Sequence, residues 1–361
     1  MSVLSVEVPA PNRFVIRRSA AEKPQAGEVR VELDSAGICG GDLSHLRGRN
    51  AVGSYPTILG HECAGRIAAV GADVHLLIGQ PVVIYPTSGC GTCRACSEGR
   101  FNNCPTMRVR GLSDPRGLFS ESFIVSASDC VLISESVLHR YGALVEPLAV
   151  GVHIAGRSGA RTGDTALVIG CGSIGLATAL VAVSRGVRVL GADRHGERST
   201  AAHACGVKAF TTVGDAALVQ WVGDQADSVD IVYDTVCSPS TIDVAQRVLA
   251  PGGRLVAIAS AKPGQQATLD YSALYARELS VVACRNYVRD DFVDAAALLE
   301  SGRVDATGLH TATFALDDFG SAVDQLESHG HHHIKILLTP RRLLDSRPLL
   351  AACPGLADKV R

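Results

Sequence analysis

The stretch TALVIGCGSIGLATALVAVSRG, beginning at Thr165, limits the possible folds more than any other part of the chain. Its first twenty residues carry no charge, a length that would cross a bilayer. Glycines at 170, 172 and 175 break the run, however, so it reads as a short buried strand, a tight turn and an apolar helix. VRVLGAD follows as a second strand, and ERSTAAHACG as a helix closing on glycine. KAFTTV, VDIVYDTV, PGGRLVAIAS and ELSVVACR are further strand candidates, with helical TIDVAQRVLA before PGG. Strands alternating with helices predict a parallel, doubly wound sheet over about 148–287.

In that context GCGSIG carries chemical information. Gly170, Gly172 and Gly175 let a backbone approach a pyrophosphate, and Ser173 and Ile174 open the helix whose N-terminus would meet it. Asp193 ends the next strand at the distance where a carboxylate accepts hydrogen bonds from an adenosine ribose. The expected ligand is therefore NAD, since a carboxylate repels a 2′-phosphate. Arg194 and Arg198 stand close by and pull the other way, although Arg198 is expected to pair on the helix surface.

Residues 1–147 have a different texture: short Val/Ile runs such as VRVEL, QPVVIYP and ESFIVSA, separated by glycine and proline. They predict a barrel-like β domain. Within it Cys90, Cys93, Cys96 and Cys104 form two two-residue gaps and a seven-residue return. That spacing suits four thiolates around one closed, structural Zn²⁺. An iron–sulfur cluster and bare thiols are the alternatives, and no second cysteine group accompanies the lobe. A disulfide framework is not expected, because MSVLSVEVPAPNRFVIRR lacks the basic start and apolar run of an export signal. The expected location is the cytoplasm. With 361 residues the chain has room for two domains, and a formal charge of −2 gives no reason to expect nucleic acid or a membrane as partner.

Cys39 in GICGGD, His61 and Glu62 in LGHECAG, and Glu146 in VEPLAVG are each commonplace alone. Together they offer a thiolate, an imidazole and carboxylates, the donor set of a zinc site with an exchangeable position. With these motifs, YPTILGHECAG, APGGRLV and the four-cysteine lobe, residues 25–340 resemble the zinc-containing medium-chain dehydrogenases, in particular their polyol, sugar-acid and threonine dehydrogenase branch. The resemblance implies a GroES-like catalytic domain plus a Rossmann domain; the pattern of residues 288–361, helical DDFVDAAALLESG leading to apolar IKILLTP, predicts a return to the catalytic domain followed by a C-terminal tail, 341–361, without a clear assignment. The resemblance also implies a catalytic zinc on Cys39, His61 and Glu62, with Glu146 binding directly or through water, and a homodimer or homotetramer. The implied reaction is oxidation of a secondary alcohol of a polyol, sugar acid or cyclitol, with hydride passing to NAD. An aminocyclitol dehydrogenase, a threonine dehydrogenase and a zinc- and NAD-binding protein with little turnover are the competing readings.

By the same resemblance, Arg285 and Asn286 in CRNYVRDDF stand where relatives place groups for substrate hydroxyls or a carboxylate, and Lys335 matches a basic residue of galactonate and idonate 5-dehydrogenases. The bland expectation for both cations is a surface charge. One position departs from the pattern. Relatives carry a proton-relaying hydroxyl two residues after the zinc cysteine and often a histidine three further on; here these are Gly41 and Ser44. Water beside Glu62 or Glu146, Ser44 or His45 through water, or a substrate hydroxyl would have to substitute, and the carboxylate path is favoured. Gly41 would also leave room for a larger substrate. The histidines from His329 to His333 are expected in a solvated loop, and Cys63, Cys130, Cys171, Cys205, Cys237, Cys284 and Cys353 as small core residues.

Overall fold

The computed structural model describes residues 2–50, 52–259 and 264–346, which form two compact units. One takes the described residues up to Glu146, Val288–Gly302 and those from His310 onward; the other takes Pro147–Tyr287 and Arg303–Leu309. Cys353 lies outside the described residues.

In the first unit the longest strand, Glu28–Gly37, is the hub. It alternates β-branched and polar residues at its start, and its C-terminal half, DSAG, is buried throughout, as a strand flanked by neighbours requires. Glu62–Val70 pairs with it antiparallel, setting Gly37 opposite Glu62 and Ala36 opposite Cys63. Lys335–Thr339 pairs with its other edge, also antiparallel, with Leu337 opposite Gly37. His310–Ala315 then adds to Lys335–Thr339 in parallel. A smaller sheet of Ser2–Ala10, Arg13–Ala20 and Thr57–Ile58 stands beside this one. Val6, Val31, Leu33, Leu59, Ile84, Phe119, Phe319 and Ile336 fill one continuous core. The late segment 310–339 therefore contributes both strands and core to a unit built mainly from the first 146 residues.

The second unit is a six-stranded sheet with every pair parallel. Counted along the chain its strand order is 3-2-1-4-5-6, the Rossmann arrangement, whose order reverses beside the first strand. That strand is Thr165–Ile169 and its helix Ser173–Ser184. The apolar run long enough for a membrane is thus divided by the turn, and no helix among the described residues is long and apolar enough to cross one. Leu167, Leu190, Val232, Val244 and Leu255 pack the core of this unit.

Candidate metal and cofactor sites

Cys39 ends the extended segment after the hub strand and caps the helix Gly40–Leu46. Its Sγ accepts from Gly41 N at 3.4 Å, while Asp42, three residues on, returns a carboxylate to Cys39 N at 2.9 Å. This reciprocal cap fixes the cysteine backbone at the helix start. The second oxygen of Asp42 accepts from Gly60 N at 3.2 Å and lies 3.5 Å from His61 Nδ1. Asp42 is wholly buried, and through its bonds to Cys39 N and Gly60 N it joins the Cys39 turn to the segment before His61, with its charge facing the imidazole. Burial works to lower the His61 pKa, but Asp42, then Cys39, prevail and raise it.

Cys39, His61 and Glu62 each present a ligand atom, all within 4.8 Å of one another. Glu62 is buried, and its Oε2 has no hydrogen-bond partner among the described residues. A buried, unpartnered carboxylate oxygen beside a thiolate and an imidazole suits a divalent cation. Oε1 is already committed to Lys335 Nζ, at 2.6 Å. Lys335 is buried, not a surface cation. Burial pulls its pKa down, yet the charges of Glu62 and Cys39 raise it above the ordinary lysine value. Glu146 is buried in the first turn of the helix Val145–Arg157; it adds the smallest of the contributions that raise the Lys335 pKa, and the smallest at Cys63, where burial and then Asp42 dominate. It is not one of the three atoms grouped within 4.8 Å.

Ser44 and His45 lie on the Gly40–Leu46 helix. His45 is wholly buried, with Nδ1 3.3 Å from Asn50 Nδ2 and its ring 4.7 Å from that of Tyr55. Burial lowers its pKa, against the opposing charge of Asp42. At Gly41 an added Cβ would lie 3.3 Å and 3.4 Å from the two methyls of Leu112. A side chain at 41 would therefore pack against Leu112 on one side, with Cys39 Sγ 3.8 Å from its Cβ.

Cys90, Cys93, Cys96 and Cys104 also place their sulfurs within 4.8 Å of one another. Thr92 and the amide of Cys93 donate to Cys90, which brings its thiol down to about 5, while burial pushes Cys96 up to about 11. Such a set, one thiol already poised to ionise and another buried, is suited to a closed tetrahedral metal site.

In the second unit Gly170 has a φ of +90°, which disfavours other residues, and a Cβ at Gly175 would lie 2.0 Å from the Gly170 carbonyl. Gly172 caps the helix without a side-chain bond, and Ser173 Oγ is buried with no partner among the described residues. Free helix N–H groups and an orphan hydroxyl form a cradle for phosphate oxygens. Thr235, which belongs to no motif in the linear sequence, donates to the carbonyls of Ile169 (3.0 Å) and Gly170 (2.9 Å) and holds the turn. Asp193 accepts from Cys171 N, His195 N and Arg198 Nη1 at 2.8, 3.0 and 2.8 Å. Arg198 therefore pairs with Asp193 itself, beside Gly172, and not along an exposed helix face. Arg194 is exposed and donates to His195 Nε2. Arg285 is exposed just past the strand Ser280–Ala283, and Asn286 takes a left-handed φ of +50°.

The histidine run is not uniformly solvated: His329 is exposed, but His333 is buried with Nδ1 3.4 Å from Thr311 Oγ1. Cys63, Cys130, Cys171, Cys205 and Cys284 are buried, whereas Cys237 is half-buried in a left-handed turn.

Comparison with known proteins agrees with this arrangement. Residues 25–135 match the alcohol dehydrogenase GroES-like domain, and residues 173–301 the zinc-binding dehydrogenase family. The chain is 32% identical to the starvation-sensing protein RspB of Escherichia coli, over 93% of this chain and 98% of that protein. The chain belongs to the zinc-containing medium-chain dehydrogenases, in their polyol and sugar-acid branch. It is 32% identical to the 2-dehydro-3-deoxy-L-galactonate 5-dehydrogenase of Pseudoalteromonas atlantica, covering 88% of this chain and 93% of that enzyme. A crystal structure of RspB from E. coli CFT073, complexed with NADH, superposes with a TM-score of 0.87 at 30% identity, covering 94% of this chain and 99% of the other. As a member of this dehydrogenase family the protein is an oxidoreductase acting on a small molecule, with a GroES-like and a Rossmann unit.

Proposed function

We propose that this dehydrogenase oxidises a secondary alcohol of a sugar acid or polyol, with zinc on Cys39, His61 and Glu62 and NAD on the Gly170–Gly175 turn. The observation that carries the reading is the meeting of half-buried Cys39 with buried His61 and Glu62, where Glu62 keeps one oxygen unpartnered among the described residues. Zinc supplies Lewis acidity that makes an alcohol hydroxyl beside it acidic near neutral pH, and NAD supplies the hydride acceptor. Asp42 keeps its charge facing the His61 ring. Asp193 receives the adenosine ribose, and its charge favours NAD over NADP. Arg198, already paired to it, adds donors beside the same pocket. The NADH bound to the related RspB supports that choice of cofactor.

Glu146 receives the alcohol proton through one water, since Gly41 offers no hydroxyl and both oxygens of Glu62 are engaged, one by Lys335 and one by the metal. Arg285 and Asn286 bind substrate oxygens. The four cysteines hold a second, structural zinc. The protein acts in the cytoplasm as a homo-oligomer joined through the edge strand Ser280–Ala283, whose Val281 is exposed.

The sugar-acid substrate is favoured by the galactonate 5-dehydrogenase relative. Reduction of NAD by the purified protein over sugar acids, polyols, cyclitols, aminocyclitols and threonine tests it. Turnover confined to threonine or an aminocyclitol would replace the sugar-acid assignment. Tight NAD binding with no hydride transfer to any of them would make the protein a binder with little turnover.

A further inference from the structure

Lys335 comes from the far end of the chain, yet its ammonium lies against Glu62 of the metal-site trio. Its strand pairs with one edge of the hub strand while Glu62 begins the strand on the other edge, so Gly37 stands between them. A Cβ at Gly37 would lie 2.1 Å from Glu62 Oε2 and 3.2 Å from Glu62 Cβ. Only a bare backbone at 37 leaves space for the carboxylate. Across that gap Lys335 Nζ donates to Glu62 Oε1 at 2.6 Å and to the carbonyl of Ile38, the residue before Cys39, at 3.1 Å. Both charged side chains are at most 3% exposed. A lysine buried to this degree is costly unless it is paired and hydrogen-bonded, and here its bonds go to the two segments that carry Cys39 and Glu62. The two oxygens of Glu62 are thereby made unequal. One is occupied by a fixed cation and the other is unpartnered.

We infer that Lys335 is a positioning residue that confines Glu62 to a single metal-facing oxygen and so keeps a coordination position open for substrate. A carboxylate free of such a cation can present one oxygen or both to a metal. With both engaged, the exchangeable position of a catalytic site is lost. Lys335 acts through Glu62 and need not touch substrate. The inference rests on the metal-site reading proposed above.

The test uses the full-length protein with cobalt(II) at the Cys39, His61 and Glu62 site and zinc retained at the four-cysteine lobe. Wild-type protein is expected to show the intense visible absorption of four-coordinate cobalt. Lys335→Met is expected to keep the ion but show the weaker absorption of higher coordination, with kcat lowered about 10–100-fold, and Lys335→Arg to move both back toward wild type. A Lys335→Met protein with wild-type spectrum and turnover overturns the inference. Should that variant not fold, the wild-type spectrum decides: intense absorption supports the inference, and weak absorption of a higher-coordinate ion refutes it. Wild-type protein that binds no metal at the trio removes the metal-site reading itself. A bound metal with an unchanged variant sinks only the role of Lys335.

Discussion

Gly41 stands where the family resemblance leads one to expect a relaying hydroxyl. Its neighbour Leu112 sits at the edge of contact for an added Cβ, so Gly41→Ser requires a shift of a few tenths of an ångström from a flexible side chain. If the proton leaves through a carboxylate and water, the new hydroxyl is superfluous, and kcat should stay within about tenfold of wild type. Glu146→Ala should then lower kcat by about 10²–10⁴-fold. Steady-state kinetics with the substrate identified from the panel measures both, and the reverse pattern rejects the carboxylate route. His310 offers a separate test, of stability. It is buried opposite Lys335 in the sheet, and desolvation lowers its pKa to about 4. The unfolded chain would bind this proton near the ordinary value of about 6.5, so the neutral ring's contribution is complete above that pH. It is lost as pH falls from there through about 4, a span worth roughly 3 kcal/mol. Urea melts at several pH values should show this loss in the wild type and a smaller one in His310→Gln.

At the scale of one element, the strand–turn–helix from Thr165 to Ser184 concentrates the cofactor chemistry. The Gly175 backbone packs against the Gly170 carbonyl too closely for any side chain. Gly175→Ala must therefore push the helix from the strand, and strain of this kind typically costs about 1–3 kcal/mol. NADH affinity, followed by fluorescence titration, is expected to weaken by roughly tenfold or more. Unchanged affinity would mean that the phosphate cradle lies elsewhere. Much of this element is legible in the linear pattern because its parts are local: glycine spacing, apolar runs and a carboxylate at the next strand end. Arg198 was harder to place. Whether its guanidinium follows the helix surface or turns back to Asp193 depends on how the next turn winds over the sheet.

For the whole molecule, the exposed outer strand of the parallel sheet is the feature left to explain. Val281 is 44% exposed, an apolar margin that a lone soluble chain would ordinarily blunt with charge. Val281→Lys is expected to shift the protein toward monomer in size-exclusion chromatography with light scattering. An unchanged mass would reject this strand as a subunit contact.

The linear sequence was enough for the two folds and for the grouping of the four lobe cysteines, since these depend on neighbours a few residues apart. Cys39, His61 and Glu62 could be nominated by type, but nothing in their spacing states that they meet. The hub strand brings them together, by setting Gly37 against Glu62 while Asp42 ties the Cys39 turn to His61. Lys335 shows the limit most clearly. A lysine in an apolar run reads as a cation turned to water, because burying one alone is prohibitive. Its carboxylate partner is 273 residues away in sequence, and only the pairing of the last strand with the first sheet puts the two in reach.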